Sequence, residues 1–338
     1  MNWIELPNNE RMTIVNNTLV AFPRLSRNVI EKDWWVTMIL KALFESSCSE
    51  YLSFKGGTSL AKWGVIERFS EDIDIAFDKS KWGLAGANKS QRDNIRKRTR
   101  KFIRESLVPE LDASLRRMGA EDFEVEFKEH KDSDKDPSVV FVPYKSLYGQ
   151  DEYVPSRVKI EFSSRSLREP VDKIHIQSYF SLVYPEVFKE YEFEVTAVAP
   201  TRTFLEKIFL LHEELQKEHT RTFRMTRHLY DLERLMDTKY GMQALADSKM
   251  YVEIVKHRSI YNAIRGIDYR THHPSTINII PQGEILEKWR NDYDEMQNSF
   301  IYGDSLPFDE LMQRISELQE RIRNIQIDNE LWTDNLGV

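Results

Sequence analysis

Apolar side chains recur at helical spacing in the first fifty residues. Ile30, Trp34, Trp35, Met38 and Ile39 share a face, which predicts helices up to about residue 50. From Tyr51 the texture changes to short apolar or alternating runs. Tyr51–Phe54, Ile73–Phe77, Phe123–Phe127, Val139–Val142, Val158–Phe162 and Phe193–Val198 predict strands, and a polar helical stretch around residues 89–118 separates the second from the third. After Pro200 the strand signal fades. Phe204, Ile208, Leu211 and Leu215, then Met225, Leu229, Leu232 and Met236, mark amphipathic helices. The polar run from Lys131 to Pro137 reads as an exposed loop. The pattern predicts a mixed α/β domain over residues 1–200, including the N-terminal helices, and a mostly helical domain over residues 201–338.

Composition narrows the picture. The 338 residues leave room for two domains, and 41% apolar with 30% charged residues is ordinary for a globular chain. No window approaches the roughly eighteen apolar residues of a membrane span, and the start, Met1 to Leu6, lacks the basic and apolar regions of a signal peptide. Cys48 is the only cysteine, which excludes an internal disulfide and a cysteine-cluster zinc site. The expectation is a cytoplasmic protein with no membrane partner. A net charge of −7 does not advertise nucleic-acid binding by the chain as a whole.

The most informative segment runs from Phe54 to Lys62 and resumes from Arg68 to Ile75. In its first half an apolar strand enters Gly56-Gly57, and Thr58-Ser59 open a short helix. Glycines admit close approach of a ligand and positive φ. Thr58 or Ser59 can cap the helix, and the N–H groups at its start favour an anion such as phosphate. Lys62 and Ser70 join Gly56, Gly57, Thr58 and Ser59 as candidate nucleotide contacts. Taken alone, Gly-Gly-Thr-Ser also fits a plain strand–turn–helix connection. In the second half Asp72 and Asp74 lie two apart on a strand, so both carboxylates face one side while Ile73, Ile75 and Phe77 face a core. Two carboxylates held together repel unless a cation neutralises them, and oxygen ligands suit Mg²⁺ or Mn²⁺ shared with substrate phosphates. Alone, the pair also fits an exposed edge strand. Together, a phosphate-holding turn and a same-face acidic pair are what metal-dependent phosphoryl chemistry requires.

A third carboxylate is expected from a neighbouring strand, and Glu161 in the alternating run Val158–Phe162 is the candidate, as a metal ligand or as the base for an attacking hydroxyl. A solvent-facing Glu on an antiparallel strand is the alternative. Lys207 and Asp231 border the apolar stripes of their helices. Lys207 can reach a cleft and contact a triphosphate, whereas Asp231 can equally form a helix ion pair with Arg227 four residues earlier. Between Lys89 and Arg104 eight basic residues face one acid. Arg92, Arg96, Arg100 and Arg104 lie in ridges suited to an RNA backbone, with a solvated face balanced by Glu121, Asp122, Glu124 and Glu126 as the alternative. His272-His273-Pro274 reads as a loop, and Trp34 and Trp35 as packing residues.

These motifs resemble the AbiEii/AbiGii toxin family of nucleotidyltransferase-like proteins from abortive-infection toxin–antitoxin pairs. Gly56-Gly57-Thr58-Ser59-Leu60 is similar to the family's first motif and Arg68 to Asp74 to its second; Ile30 to Val36 is similar to its N-terminal helix. Thr203 to Lys207 resembles the third motif, and Arg227 to Leu232 the fourth. Where many members carry Lys-Asp in that fourth motif, this chain has Arg227 and His228, leaving Asp231 as the matching acid. The resemblance covers roughly residues 25 to 325. It implies a nucleotidyltransferase fold with a small mixed sheet and a helical C-terminal domain, NTP and Mg²⁺ binding, modification of RNA such as tRNA, and an antitoxin encoded separately. It also supports roles for Lys207, offsetting triphosphate charge, and for Asp231, positioning substrate or Lys207. The expected reaction is transfer of a nucleoside monophosphate from an NTP. A kinase that presents the γ-phosphate, with Ser70 as a phosphorylated position, and a non-catalytic nucleotide- or RNA-binding module are the alternatives.

Overall fold

The computed structural model describes residues 2–84, 86, 88–129, 136–149, 151, 154–188 and 192–336, so residues 131–135 of the expected loop lie outside the described residues. The chain forms two compact units. Met1–Gly64 and Phe69–Val198 make the first; Val65–Arg68 and Ala199–Val338 make the second.

Unit 1 is mixed α/β, as the hydrophobic pattern predicts. Its helices begin with α1 (Asn8–Ala21) and α2 (Arg27–Phe44). Ser26 caps α2 by accepting the Val29 N–H at 3.3 Å, a standard way of satisfying a donor left over by the first turn. From Val29 to Leu40 every side chain of α2 is buried, so packing surrounds the helix and does not stop at one face. Trp35 stacks on Tyr144 at 4.8 Å, and Trp34 lies 5.0 Å from Trp3. The burial includes three consecutive charges, and each has a partner, as a buried charge requires. Glu31 accepts from Ser146 Oγ at 2.5 Å and from the Leu147 N–H at 3.0 Å. Lys32 meets Glu71 at 2.6 Å and the Pro155 carbonyl at 2.9 Å. Asp33 meets Lys62 at 2.7 Å and the Tyr179 N–H at 2.8 Å.

The sheet comprises β1 (Leu52–Lys55), β2 (Ile73–Phe77), β3 (Glu126–Phe127), β4 (Ser138–Pro143), β5 (Arg157–Ser163), β6 (Val171–Ile176) and β7 (Phe193–Val198), in the order β3-β4-β5-β2-β1-β7-β6. β1 is antiparallel to β2 and parallel to β7, and β2 is parallel to β5; the β3·β4, β4·β5 and β6·β7 pairs are antiparallel. Two strands differ from the pattern-based expectation. β6 is an outer strand whose Asp172, Lys173 and His175 are exposed, so only Ile174 and Ile176 are buried. At the other edge, Phe123–Phe127 reduces to the two residues of β3 and an isolated bridge from Phe123 to Tyr144. The helix α3 (Gly56–Lys62) follows β1, and α4 (Lys89–Phe102) continues through a π-helical turn, Ile103–Leu107, into α5 (Val108–Arg117). Two short helices, α6 (Tyr179–Val183) and α7 (Pro185–Phe188), precede β7.

Unit 2 is helical: α8 (Pro200–Leu215), α9 (Thr226–Met236), α10 (Lys239–Ala246), α11 (Ser248–His257), α12 (Gly283–Ser299), α13 (Phe308–Arg323) and α14 (Asn329–Leu336). Phe204, Ile208, Leu211, Leu229, Leu232, Trp289, Tyr293, Ile315 and Leu318 form its buried interior. The segment Val65–Arg68 is built into this unit by backbone pairing. Arg68 bridges to Ile301, and the Glu67 carbonyl accepts the Tyr302 and Gly303 N–H groups at 3.0 and 3.1 Å. Among the described residues no helix is long and apolar enough to cross a membrane.

Candidate active site

The parallel pairing of β2 with β5 sets Asp74 beside Glu161, with Ile73 beside Ile160. Continued by one residue, that register brings Asp72 level with Lys159. Alternation along each strand then puts Asp72, Asp74, Lys159 and Glu161 on one face, while Ile73, Ile75, Val158, Ile160 and Phe162 are buried. The structure therefore brings the three expected carboxylates together. It also adds Lys159, whose ammonium lies 2.5 Å from Glu161 Oε1 and 4.0 Å from Asp72 Oδ2. Burial works against the charged form of Lys159. The hydrogen bond to Glu161 and the charges of Asp72, Glu161 and Asp74 outweigh it and raise the lysine above its ordinary pKa. The Lys-x-Glu spacing on an alternating strand was the sequence signal for this residue.

Gly56 completes this patch. Lys55 on β1 pairs with Asp74 on β2, so the next residue in the chain arrives directly over the carboxylate. Gly56 has φ of +81°, and a Cβ placed on it would stand 2.1 Å from Asp74 Oδ2. Glycine is thus required twice, by conformation and by space. The first-turn N–H groups of α3 lie outside its internal hydrogen-bond ladder. The hydroxyls behave differently from the expectation. Lys55, not Thr58 or Ser59, occupies the capping position of α3, without a side-chain cap. Thr58 is buried and donates to the Asp72 carbonyl at 2.5 Å, with Ser70 Oγ 3.0 Å from the same hydroxyl. Ser59 is buried as well. Both side chains are buried, because the helix begins at Gly56, three residues earlier than a Thr58 cap would need. Lys62 is likewise engaged elsewhere, by Asp33 at 2.7 Å and by the Gln177 carbonyl at 2.7 Å. Thr58 and Ser70 therefore support the backbone of Asp72, and Lys62 anchors α2.

The donor set can be tested against a divalent ion. Among the described residues no group of three or more His, Cys, Asp or Glu side chains closes on a metal by itself. Mg²⁺ commonly takes one or two carboxylates and completes its shell with water and substrate phosphates. Asp72 and Asp74, with Glu161 on the next strand, fit that shared mode and not an all-protein cage.

In unit 2, Asp231 is the centre of a sealed cluster. Arg68 grips its carboxylate at 2.7 and 2.8 Å, and Lys207 meets it at 2.8 Å. Lys207 also donates to His228 Nδ1 at 3.3 Å. All four residues are buried. Burial raises the Asp231 carboxyl, but the charges of Arg68 and Lys207 and their hydrogen bonds win and bring it to about 2. Burial lowers Lys207 and, with the neighbouring cations, holds His228 well below the ordinary histidine range, so His228 is a neutral acceptor. The Asp231 carboxylate thus serves Arg68 and Lys207. Arg68 is the member that the sequence left without a role, and only the fold reveals its partner 163 positions away.

The basic helix is less uniform than its sequence. Arg96 is buried beside Ile95 and Thr99, with Asp93 at 3.5 Å, so it cannot belong to a surface ridge. Arg100 and Arg104 meet Glu129 at 2.7 and 3.3 Å, and Arg104 also meets Glu105 at 2.8 Å. Glu129 and Glu105 therefore balance part of this charge. Arg92 is partly exposed, and Lys89, Lys97, Arg98, Lys101 and Arg104 are exposed. His272 closes a 3₁₀ turn in the expected loop, buried 3.4 Å from Glu213 and edge-on to His212.

A family profile described as Nucleotidyl transferase AbiEii toxin, Type IV TA system, matches residues 39–314. Two solved structures from Helicobacter pylori are similar. JHP933 shares 15% identity at a TM-score of 0.47, covering 88% of this chain and 93% of its own. A protein described as a candidate nucleotidyltransferase shares 15% at 0.42, covering 90% and 100%. No curated protein matches the chain. The profile runs from within α2 to within α13, across both the carboxylate strands and the buried Asp231 cluster, and the chain belongs to the AbiEii family of nucleotidyl transferase toxins of Type IV toxin–antitoxin systems.

Proposed function

We propose that this transferase is metal-dependent and moves a nucleoside monophosphate from an NTP to a hydroxyl of an RNA, such as tRNA, and that an antitoxin counters it. The observation that carries this reading is the same-face set Asp72, Asp74 and Glu161 beside Gly56, whose missing side chain leaves the Asp74 carboxylate in contact with the turn. Asp72 and Asp74 would hold Mg²⁺ or Mn²⁺, which would supply charge neutralisation at the reacting phosphate. Glu161 would share that ion or take the proton of an attacking hydroxyl. The backbone N–H groups of Gly56 and Gly57 are the phosphate donors, because the Thr58 and Ser59 hydroxyls face inward. An RNA acceptor is supported by the exposed cations Lys97, Arg98 and Lys101 on α4. The family itself carries the antitoxin.

Label transfer tests this. The purified protein is incubated with Mg²⁺, total RNA and each NTP labelled at the α- or the γ-phosphate, beside an Asp72→Ala/Asp74→Ala variant. The expected result is α-label on RNA and its loss, by roughly a hundredfold or more, in the variant. Label from the γ-phosphate alone would replace this reading with a kinase. Near-normal transfer by the folded double variant would remove the carboxylates from the mechanism.

A further inference from the structure

Lys159 stands among the carboxylates that would bind the metal. Its ammonium is 2.5 Å from Glu161 Oε1 and 4.0 Å from Asp72 Oδ2, and its side chain is 34% exposed. A divalent ion seated against Asp72 and Glu161 would meet that ammonium at close range, and two cations cannot share the same oxygens without strong repulsion. A lysine has a flexible four-carbon stem and three rotatable donors. Partial exposure gives it room to move, and a triphosphate entering beside Gly56 would bring fresh anionic oxygens to the same face.

Resting on the metal-dependent reading above, we propose that Lys159 is a tethered counter-ion of the carboxylate site. It competes with the metal for Glu161 and Asp72, and it transfers to phosphate oxygens when metal and triphosphate bind together. Lys159 is a positioning residue here, and no bond to it forms or breaks. The consequence is linkage. Metal binding without phosphate must displace the ammonium into water, whereas metal binding with phosphate gives the ammonium a new partner, so each ligand strengthens the other.

The test uses the full chain, Mn²⁺ read by its electron paramagnetic resonance, and inorganic tripolyphosphate as the phosphate probe. In Lys159→Met the affinity for Mn²⁺ alone should rise about tenfold, because the rival cation is gone. The affinity of the Mn²⁺-loaded protein for tripolyphosphate should fall by about the same factor. A merely structural lysine would not move these two constants in opposite directions. Lys159→Arg keeps the charge and should stay within about threefold of wild type in both. Unchanged or weaker Mn²⁺ binding in Lys159→Met, or a rise with no fall in tripolyphosphate affinity, would overturn the proposal. Should Lys159→Met not fold, the unmodified chain decides the matter, since Mn²⁺ binding that is indifferent to tripolyphosphate also overturns it. Asp72→Ala/Asp74→Ala in the same titration separates the two readings. Mn²⁺ binding that survives that change refutes the metal site itself, while binding lost there but unaltered in Lys159→Met refutes only the counter-ion.

Discussion

Two constellations of acidic and basic side chains, one in each unit, are treated in opposite ways. In unit 1, Asp72, Lys159 and Glu161 keep 32, 34 and 27% of their side-chain surface exposed. In unit 2, Asp231 is fully buried with Arg68 and Lys207 around it. An ion set open to solvent can exchange one cation for another at modest cost. A sealed set cannot, because removing one partner leaves an uncompensated buried charge. The open set can trade one cation for another, whereas the sealed set holds its unit together.

The largest expected effect strikes the sealed set. Asp231→Ala leaves Arg68 and Lys207 buried without a carboxylate, and denaturant unfolding should show a loss of about 3–5 kcal/mol. The open set should respond in activity and not in stability. Asp72→Ala/Asp74→Ala should lower transfer by roughly a hundredfold, about 2.7 kcal/mol of barrier, while its unfolding free energy stays within about 1 kcal/mol of wild type. Equal destabilisation by the two changes would erase the distinction. Gly56→Ala sharpens it from the backbone side: the new Cβ meets Asp74 Oδ2 at 2.1 Å in a φ +81° conformation. A stability loss of about 1–3 kcal/mol together with a fall in transfer would show that the turn and the carboxylate act as one.

The smallest effect is a pH dependence in unit 2. Burial, with His272 nearby, lowers His212 to about 4. Its unfolded value is near 6.5, so between these values the unfolded chain binds the extra proton. Stability is then fully present above about pH 6.5 and is lost as pH falls towards 4. Unfolding free energies at pH 7.5 and 5 should differ by about 1–2 kcal/mol from this group. The Asp231 carboxyl, held at about 2, contributes stability that persists above about pH 4 and disappears only as pH falls through 2. A flat profile between pH 7.5 and 5 would contradict the burial of His212.

What the sequence made legible follows the physics of each signal. Ile73–Phe77 reads as a strand from its Ile-Asp-Ile alternation, and β2 has those bounds. The helical stretch at 89–118 reappears as α4, the π-helical turn and α5. Outer strands read poorly, because half of a strand such as β6 faces water and carries no apolar pattern. The grouping of Asp72, Asp74 and Glu161 was inferable from alternation, but its closeness depends on the register of β2 with β5, which no local pattern encodes. Polar side chains turned inward were the least legible. Thr58, Ser59, Lys62 and Arg96 look like surface chemistry in the sequence, and the structure buries them or pairs them internally. Lys159 escaped notice for the reverse reason, since a strand lysine beside a glutamate resembles an ordinary surface pair.

The four residues Val65–Arg68 have a consequence for heredity. They belong to unit 2 although the rest of that unit starts at Ala199, so the codons for that unit lie in two separated stretches. A recombination event that exchanged only the 3′ part between relatives would deliver an Asp231 and a Lys207 to an Arg68 of different ancestry. Substitutions at these three positions should therefore be inherited in concert, and a fragment beginning at Ala199 would be a unit without its guanidinium.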